Sequence, residues 1–216
     1  MRVGSGRGAC VVLRNSRVSL VPLLLVGLLL GVRHATDADH IVAVAALVSR
    51  EKRTSMISKL GAMWGAGHML TVFVVGGAIV ALGVVIPPRV ALVFELAVGL
   101  MLIVIGVLNL VGPREVTPAR TAARSFGVGL VHGLAGSTAI ALMVLATIRE
   151  VRSALLYLVV FSLGTVVGMT VMTLLMAVPL AFVTRARDVH RYVGRIAGLA
   201  SVAFGFVVIY RIVVAW

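Results

Sequence analysis

Residues 31–44 read GVRHATDADHIVAV. Arg33, His34, Asp37, Asp39 and His40 put five ionisable side chains within eight residues. They lie between LLLVGLLL (23–30) and IVAVAALV (41–48), two runs that are wholly apolar. A charged group at the centre of a membrane helix costs about 2.5–3.5 kcal/mol even on the gentlest scale, so it persists where it pairs or binds something. A loop at the membrane surface is the plainer reading of such a cluster. It is disfavoured because apolar sequence resumes at Ile41 and the next basic loop begins only at Arg50.

The rest of the chain supplies the lipid context. Of 216 residues, 61% are hydrophobic and 12% charged, about half the charged fraction of a soluble domain. The 23 glycines suit close helix packing in lipid. The formal charge of +13 would fit a nucleic-acid partner if it formed one patch. The arginines instead sit between apolar runs, which is the signature of membrane topology, and no nucleic-acid partner is expected. The lone Cys10 excludes an intrachain disulfide and a thiolate metal cage. There is no His-Glu-x-x-His, Gly-x-Ser-x-Gly, Walker or dinucleotide motif, so no catalytic residue is expected.

Six apolar segments follow, roughly 18–48, 60–86, 90–111, 126–148, 154–183 and 192–214. Each is near the ~20 residues needed to cross a bilayer. The first is too long for one upright helix, so it is expected to tilt, to kink or to break at the motif. Residues 1–17 form a basic tail that resembles a signal peptide but has no convincing cleavage site, so it is expected to be retained. Loops 49–59, 112–125 and 184–191 are rich in Arg and Lys, and the alternate loops are poorer. The rich loops are therefore assigned to the cytoplasmic side, with both termini outside. Two crossings within 11–48 would give seven spans and bring the basic tail inside; that version ranks second because both spans would be very short.

The sequence also repeats. GVRH (31–34) returns as GLVH (129–132), 98 residues on. WGAGH (64–68) is answered by FSLGT (161–165), and Gly99 and Gly106 by Gly198 and Gly205, at offsets of 97–99. Three helices per copy is an odd number, so the second copy must enter the membrane inverted. The expected fold is an all-α integral membrane protein of six transmembrane helices in two inverted three-helix repeats. The copies span 18–111 and 126–216, joined by a basic linker at 112–125. Inverted repeats are the architecture of secondary transporters, whose sites lie near the midplane where the repeats meet.

In a continuous helix, successive residues turn by about 100°, so His34, Asp37 and His40 share one face. Asp39 falls outside that stripe unless the helix breaks. Two imidazoles and a carboxylate can ligate nickel, cobalt, zinc or copper. His68, beside Gly65 and Gly67, and His132, the counterpart of His34, are expected to complete or gate the site. As isolated core histidines, either would simply bond a carbonyl. Arg33 and Glu95 are read as structural ion-pair partners. Thr71, Ser137 and Thr138 are read as bonding carbonyls one turn back, Asn109 as packing, and His190 as solvated in a loop. The scattered methionines share no stripe and are read as packing.

These residues carry a family resemblance. RHATDADHI (33–41) resembles the His-x4-Asp-His signature of the nickel/cobalt transporter family, carried by His34, Asp39 and His40. GAGHMLTV (65–72) resembles that family's second Gly-His motif. GLVHGLAGSTAIAL (129–142) and FSLGTVVGM (161–169) resemble its short, urease-accessory-type membrane branch. Met69 and Leu70 stand where the family usually has Ser-Thr, and HGLAGSTAI (132–140) stands where larger, eight-helix members have an Asp-Thr-Ala-Thr-Glu-like motif.

The resemblance implies secondary transport of nickel, with cobalt second, across the cytoplasmic membrane. The metal is cargo rather than cofactor, and lipid surrounds the chain. Efflux, an accessory role in metalloenzyme maturation and an integral-membrane metalloenzyme are the alternatives. Homo-oligomer or accessory-subunit status stays open.

Overall fold

The computed structural model describes residues 20–49, 51, 53–83, 86–111, 118–134, 145, 147–148, 150–183 and 187–215. The basic tail at 1–17, residues 112–117 of the loop between the repeats, Ser137 and Thr138 lie outside these residues. Every regular element among the described residues is helical. The helices are α1 (Leu20–His34), α2 (Ala38–Val48), α3 (Thr54–Leu82), α4 (Pro88–Val111), α5 (Pro118–His132), α6 (Val151–Val183) and α7 (Arg187–Ala215).

Helix limits follow local chemistry. Pro88 and Pro118 open α4 and α5, where a missing N–H costs nothing and a fixed φ suits the helix. Gly83, at φ 62°, closes α3 in the left-handed conformation that a Cβ would oppose. Between α1 and α2 the chain turns by 54°. The end of α1 tightens through Thr36 N–H to the Arg33 carbonyl (2.9 Å) and Asp37 N–H to the His34 carbonyl (3.1 Å). Asp37 then takes an extended conformation, φ −64° and ψ 149°, before α2 begins. The break therefore falls inside the charged motif.

Three helices begin earlier than the charge pattern suggested. α3 starts at Thr54, α5 at Pro118 and α7 at Arg187, all within stretches read from sequence as basic loops. His190 is accordingly helical, not in a loop. Arginine and lysine at a helix end can snorkel to the membrane interface, so charge ends the apolar span without ending the helix.

Four helical spans, Thr54–Leu82, Pro88–Val111, Val151–Ala177 and Tyr192–Val214, are each long and apolar enough to cross a membrane, and the bent α1–α2 pair makes a fifth. Of the segment expected at 126–148, α5 supplies the start, Leu145 and Thr147 are helical, and 135–144 lies outside the described residues. The outward faces carry Leu25, Leu29, Val74, Val104, Val167, Leu175 and Phe206, all exposed. A contiguous apolar exterior of this kind is solvated by acyl chains, and a helix satisfies its own backbone there. The chain is a multi-pass, all-α membrane protein.

Glycines decide which helices touch and in what direction. A Cβ at Gly31 would strike the Phe161 carbonyl, and one at Gly27 would meet the Tyr157 ring at 3.0 Å; Gly168 packs on Val32 and Ala35. α1 and α6 therefore run parallel. Gly129 abuts the Trp64 carbonyl, Gly67 the Phe126 carbonyl and Gly133 the His68 carbonyl, so α5 and α3 are also parallel. Gly61 faces Thr173, Gly65 faces Val166 and Gly76 faces Leu158, so α3 and α6 are antiparallel. Gly106 packs on Gly198 and Gly99 on Gly205, reciprocally, which sets α4 antiparallel to α7.

Candidate metal centre

Four helices deliver four buried imidazoles to one place. His34 ends α1, His40 lies in the first turn of α2, His68 is in mid-α3 and His132 ends α5. His40, His68 and His132 are fully buried and His34 is 5% exposed. Ring centroids stand 4.5 Å apart for His34–His40, 4.1 Å for His40–His132, 4.9 Å for His34–His68 and 5.6 Å for His40–His68. The close glycine seams make this possible. With Gly129 against Trp64 and Gly133 against His68, the end of α5 lies directly beside mid-α3.

Two carboxylates organise the rings. Asp39 Oδ1 is 3.1 Å from His40 Nδ1 and its Oδ2 is 2.9 Å from His132 Nε2. Asp37 Oδ2 is 3.1 Å from His34 Nδ1. An ionised carboxylate only accepts, so in its neutral form each of these three rings would donate its N–H to an aspartate. The opposite nitrogens, His34 Nε2, His40 Nε2 and His132 Nδ1, are then bare lone pairs. His34 Nε2 lies 3.1 Å from His68 Nε2. With its partner's lone pair facing it, His68 donates there and keeps its own lone pair on Nδ1. His40 Nε2, His68 Nδ1 and His132 Nδ1 are buried with no hydrogen-bond partner among the described residues. Imidazoles held through one nitrogen by a carboxylate, with the other nitrogen free, are the usual dress of a metal-ligating histidine.

Two overlapping triads have ligand atoms within 4.8 Å of one another: His34, His40 and His68, and Asp39, His40 and His132. His40 belongs to both. The break in the first span is what admits Asp39. It releases α2 from the register of α1, so that Asp39 reaches His132 across 93 residues of sequence. Asp37 takes the other course. It precedes α2 as an N-cap without making a cap bond, because its carboxylate turns back to His34. Its side chain is 41% exposed, against 17% for Asp39, which leaves Asp37 at the rim. Arg33 is exposed and Glu95 half-buried; among the described residues neither makes an ion pair.

The structure adds residues that sequence reasoning passed over. Trp64 stacks on His40 with centroids 5.4 Å apart and lies 5.6 Å from His132. Phe161 lies 5.9 Å from His34. Both occupy the first position of the repeated five-residue stretch, and that position was the available signal. Thr71 bonds the Leu130 carbonyl across helices at 2.9 Å, closer than the carbonyl one turn back at 3.4 Å. Asn109 donates to Ser49 Oγ and to the Gly194 carbonyl, each at 3.0 Å, tying α4 to the end of α2 and to α7.

A polytopic helical membrane protein with a buried histidine cluster held by two aspartates is thus the class that fold and site define. No protein-family model matches the chain, and no solved structure matches it. It is 30% identical over 214 aligned residues to the urease accessory protein UreH of Bacillus sp. (strain TB-90), with 91% of this chain and 94% of that protein covered. The chain belongs to the UreH family of urease accessory proteins, the urease-accessory-type branch that residues 129–142 and 161–169 resembled.

Proposed function

We propose that the chain is a secondary transporter that carries a divalent transition-metal ion, nickel first and cobalt second, across the cytoplasmic membrane. The observation that carries this reading is the convergence of four imidazoles and Asp39, drawn from both halves of the sequence, in a buried centre of a membrane protein. A donor set dominated by imidazole favours nickel, cobalt, zinc or copper over magnesium or calcium, which prefer oxygen. The ligands are His34, His40 and His68. Asp39 and His132 form the overlapping set, and Asp37 steadies His34 from the rim. The metal is cargo, and no chemical step is assigned to the chain.

The packing directions support six crossings in two inverted repeats. If α1 and α2 are one bent crossing and residues 118–148 another, α1 and α6 run the same way, as do α3 and α5, while α3 opposes α6 and α4 opposes α7. All four agree with the glycine contacts. Seven crossings would set α1 against α6. The seams also repeat: Gly31 on Phe161 is matched by Gly129 on Trp64, at the offsets of the sequence duplication. Inverted repeats around a midplane site are what alternating access needs.

The relative's name favours a second, compatible reading, in which transport serves the assembly of a metalloenzyme. Flux of radioactive nickel into proteoliposomes containing this chain alone tests the proposal. Saturable flux that is lost in His34→Ala and His40→Ala supports it. No flux from well-folded wild-type protein rejects it and leaves the accessory role. Tight retention of metal through purification would favour a metalloenzyme instead.

A further inference from the structure

The buried imidazoles lie between two aromatic side chains that the internal repeat places in equivalent positions. Trp64 and Phe161 are 97 residues apart, each heading one copy of the repeated stretch. Both are 1% exposed. Trp64 lies against His40 and His132, and Phe161 lies against His34. His34 and His132 are themselves repeat counterparts, so the two ring-on-imidazole contacts are one arrangement made twice.

The contacts fall on opposite sides of the cluster. α3 and α6 are antiparallel, with Gly76 at the level of Leu158 and Gly65 at the level of Val166. Phe161 therefore stands near the level of Val72, and at 1.5 Å per residue it is roughly 12 Å from Trp64 along the axis, with His68 midway. Trp64 is on the side where α3 and α5 begin. Phe161 is on the side where α1 and α6 begin, backed one turn further out by Tyr157, whose ring stacks on it at 6.4 Å.

These aromatic residues also hold polar atoms that the present packing does not use. Trp64 Nε1 and the Tyr157 hydroxyl are buried with no hydrogen-bond partner among the described residues. The hydroxyl sits in an apolar cluster with Val72, Leu145, Leu158 and Phe161. A buried orphan donor costs stability, and such groups call for an explanation in function or in an alternative state.

We propose that Trp64 and the Tyr157–Phe161 pair are the two seals of the ion path, one on each side of the imidazole centre, and that each opens in turn. The orphan donors meet water when their own side opens. The inference rests on the transport reading, which it deepens by naming the two barriers. Transporters occlude their cargo between such barriers, and opening both at once makes a channel.

The test reads the barriers with and without transport. In proteoliposomes, Trp64→Ala alone and Phe161→Ala alone should still carry nickel saturably, because one barrier remains. The double variant should pass nickel in linear proportion to its concentration. Saturable flux in the double variant, or linear flux in either single variant, overturns the proposal.

If the wild type carries no nickel, accessibility decides. Cys10→Ser with His34→Cys places the sole thiol in the centre; His132→Cys is the second reporter should the first fail to fold. A membrane-impermeant thiol reagent, added from each side of sealed vesicles, should label neither parent. Phe161→Ala should admit it only from the side where α1 and α6 begin, and Trp64→Ala only from the opposite side. Labelling of both variants from the same side, or of neither, overturns the proposal.

Discussion

His34 and His68 meet Nε2 to Nε2 at 3.1 Å although 34 residues separate them. With the Asp37 carboxylate on His34 Nδ1, this contact sets the proton of His34 on Nδ1 and that of His68 on Nε2. A divalent ion entering between them would displace this hydrogen bond, take the lone pair on His34 Nε2 and require the His68 proton to leave Nε2.

The first prediction concerns the rank of the ligands. Only His40 belongs to both triads. His40→Ala should therefore weaken nickel binding to detergent-solubilised protein more than His34→Ala, His68→Ala or His132→Ala, as read by titration calorimetry. Equal losses for all four would show that the ion does not pass by way of His40.

Asp39 is predicted to matter through the rings it orients. Asp39→Asn keeps the shape but leaves one acceptor oxygen for two rings, turning the contact to either His40 or His132 from acceptor to donor. Loss of such an outer partner costs about 10–100-fold in metal affinity. The same variant should keep its helical circular dichroism and its elution as a folded protein. Asp37→Asn, at the rim and facing one ring, should cost less.

The pH dependence has a definite sign. An imidazole must be neutral to bind metal, so metal and proton compete and metal binding releases protons. Affinity should be full on the alkaline side and fall once pH drops into the range where the ligand imidazoles take up protons. The slope below that range should approach about tenfold per pH unit for each proton displaced. Nickel affinity that rises on acidification would contradict neutral imidazole ligands.

Glycine seams give a prediction about stability alone. Gly31→Ala and Gly129→Ala put a methyl group on the carbonyls of Phe161 and Trp64. Overpacking of this kind costs roughly 1–3 kcal/mol, and thermal unfolding in detergent should show it. Gly77→Ala and Gly127→Ala meet nothing within 4 Å. They should be neutral or stabilising, since Ala exceeds Gly in a helix by roughly 0.5–1 kcal/mol.

Much of the site was legible because membrane sequence makes ionisable groups conspicuous. His34, His40, His68 and His132 stood out against apolar runs, and the constant offset of the repeat tied His132 to His34. The division of labour between Asp37 and Asp39 was not legible. An unbroken helix puts Asp37 on the face of the histidines and Asp39 off it. The break at 35–37 changes that register, and its angle is set by packing of α1 on α6 that the local sequence does not contain. Helix starts at Thr54, Pro118 and Arg187 were missed for a related reason. Basic residues mark where lipid ends, whereas a helix ends only where its backbone hydrogen bonding does.

The main glycine seams, α1 on α6, α3 on α5, α3 on α6 and α4 on α7, all join an early helix to a late one. The boundary between the two proposed copies, 18–111 and 126–216, therefore does not divide the molecule into two folding units. Each copy alone would present the open side of all four of these seams to lipid. Expressed as separate polypeptides, the copies should be degraded singly and survive only when made together, each serving as the template on which the other completes its interior.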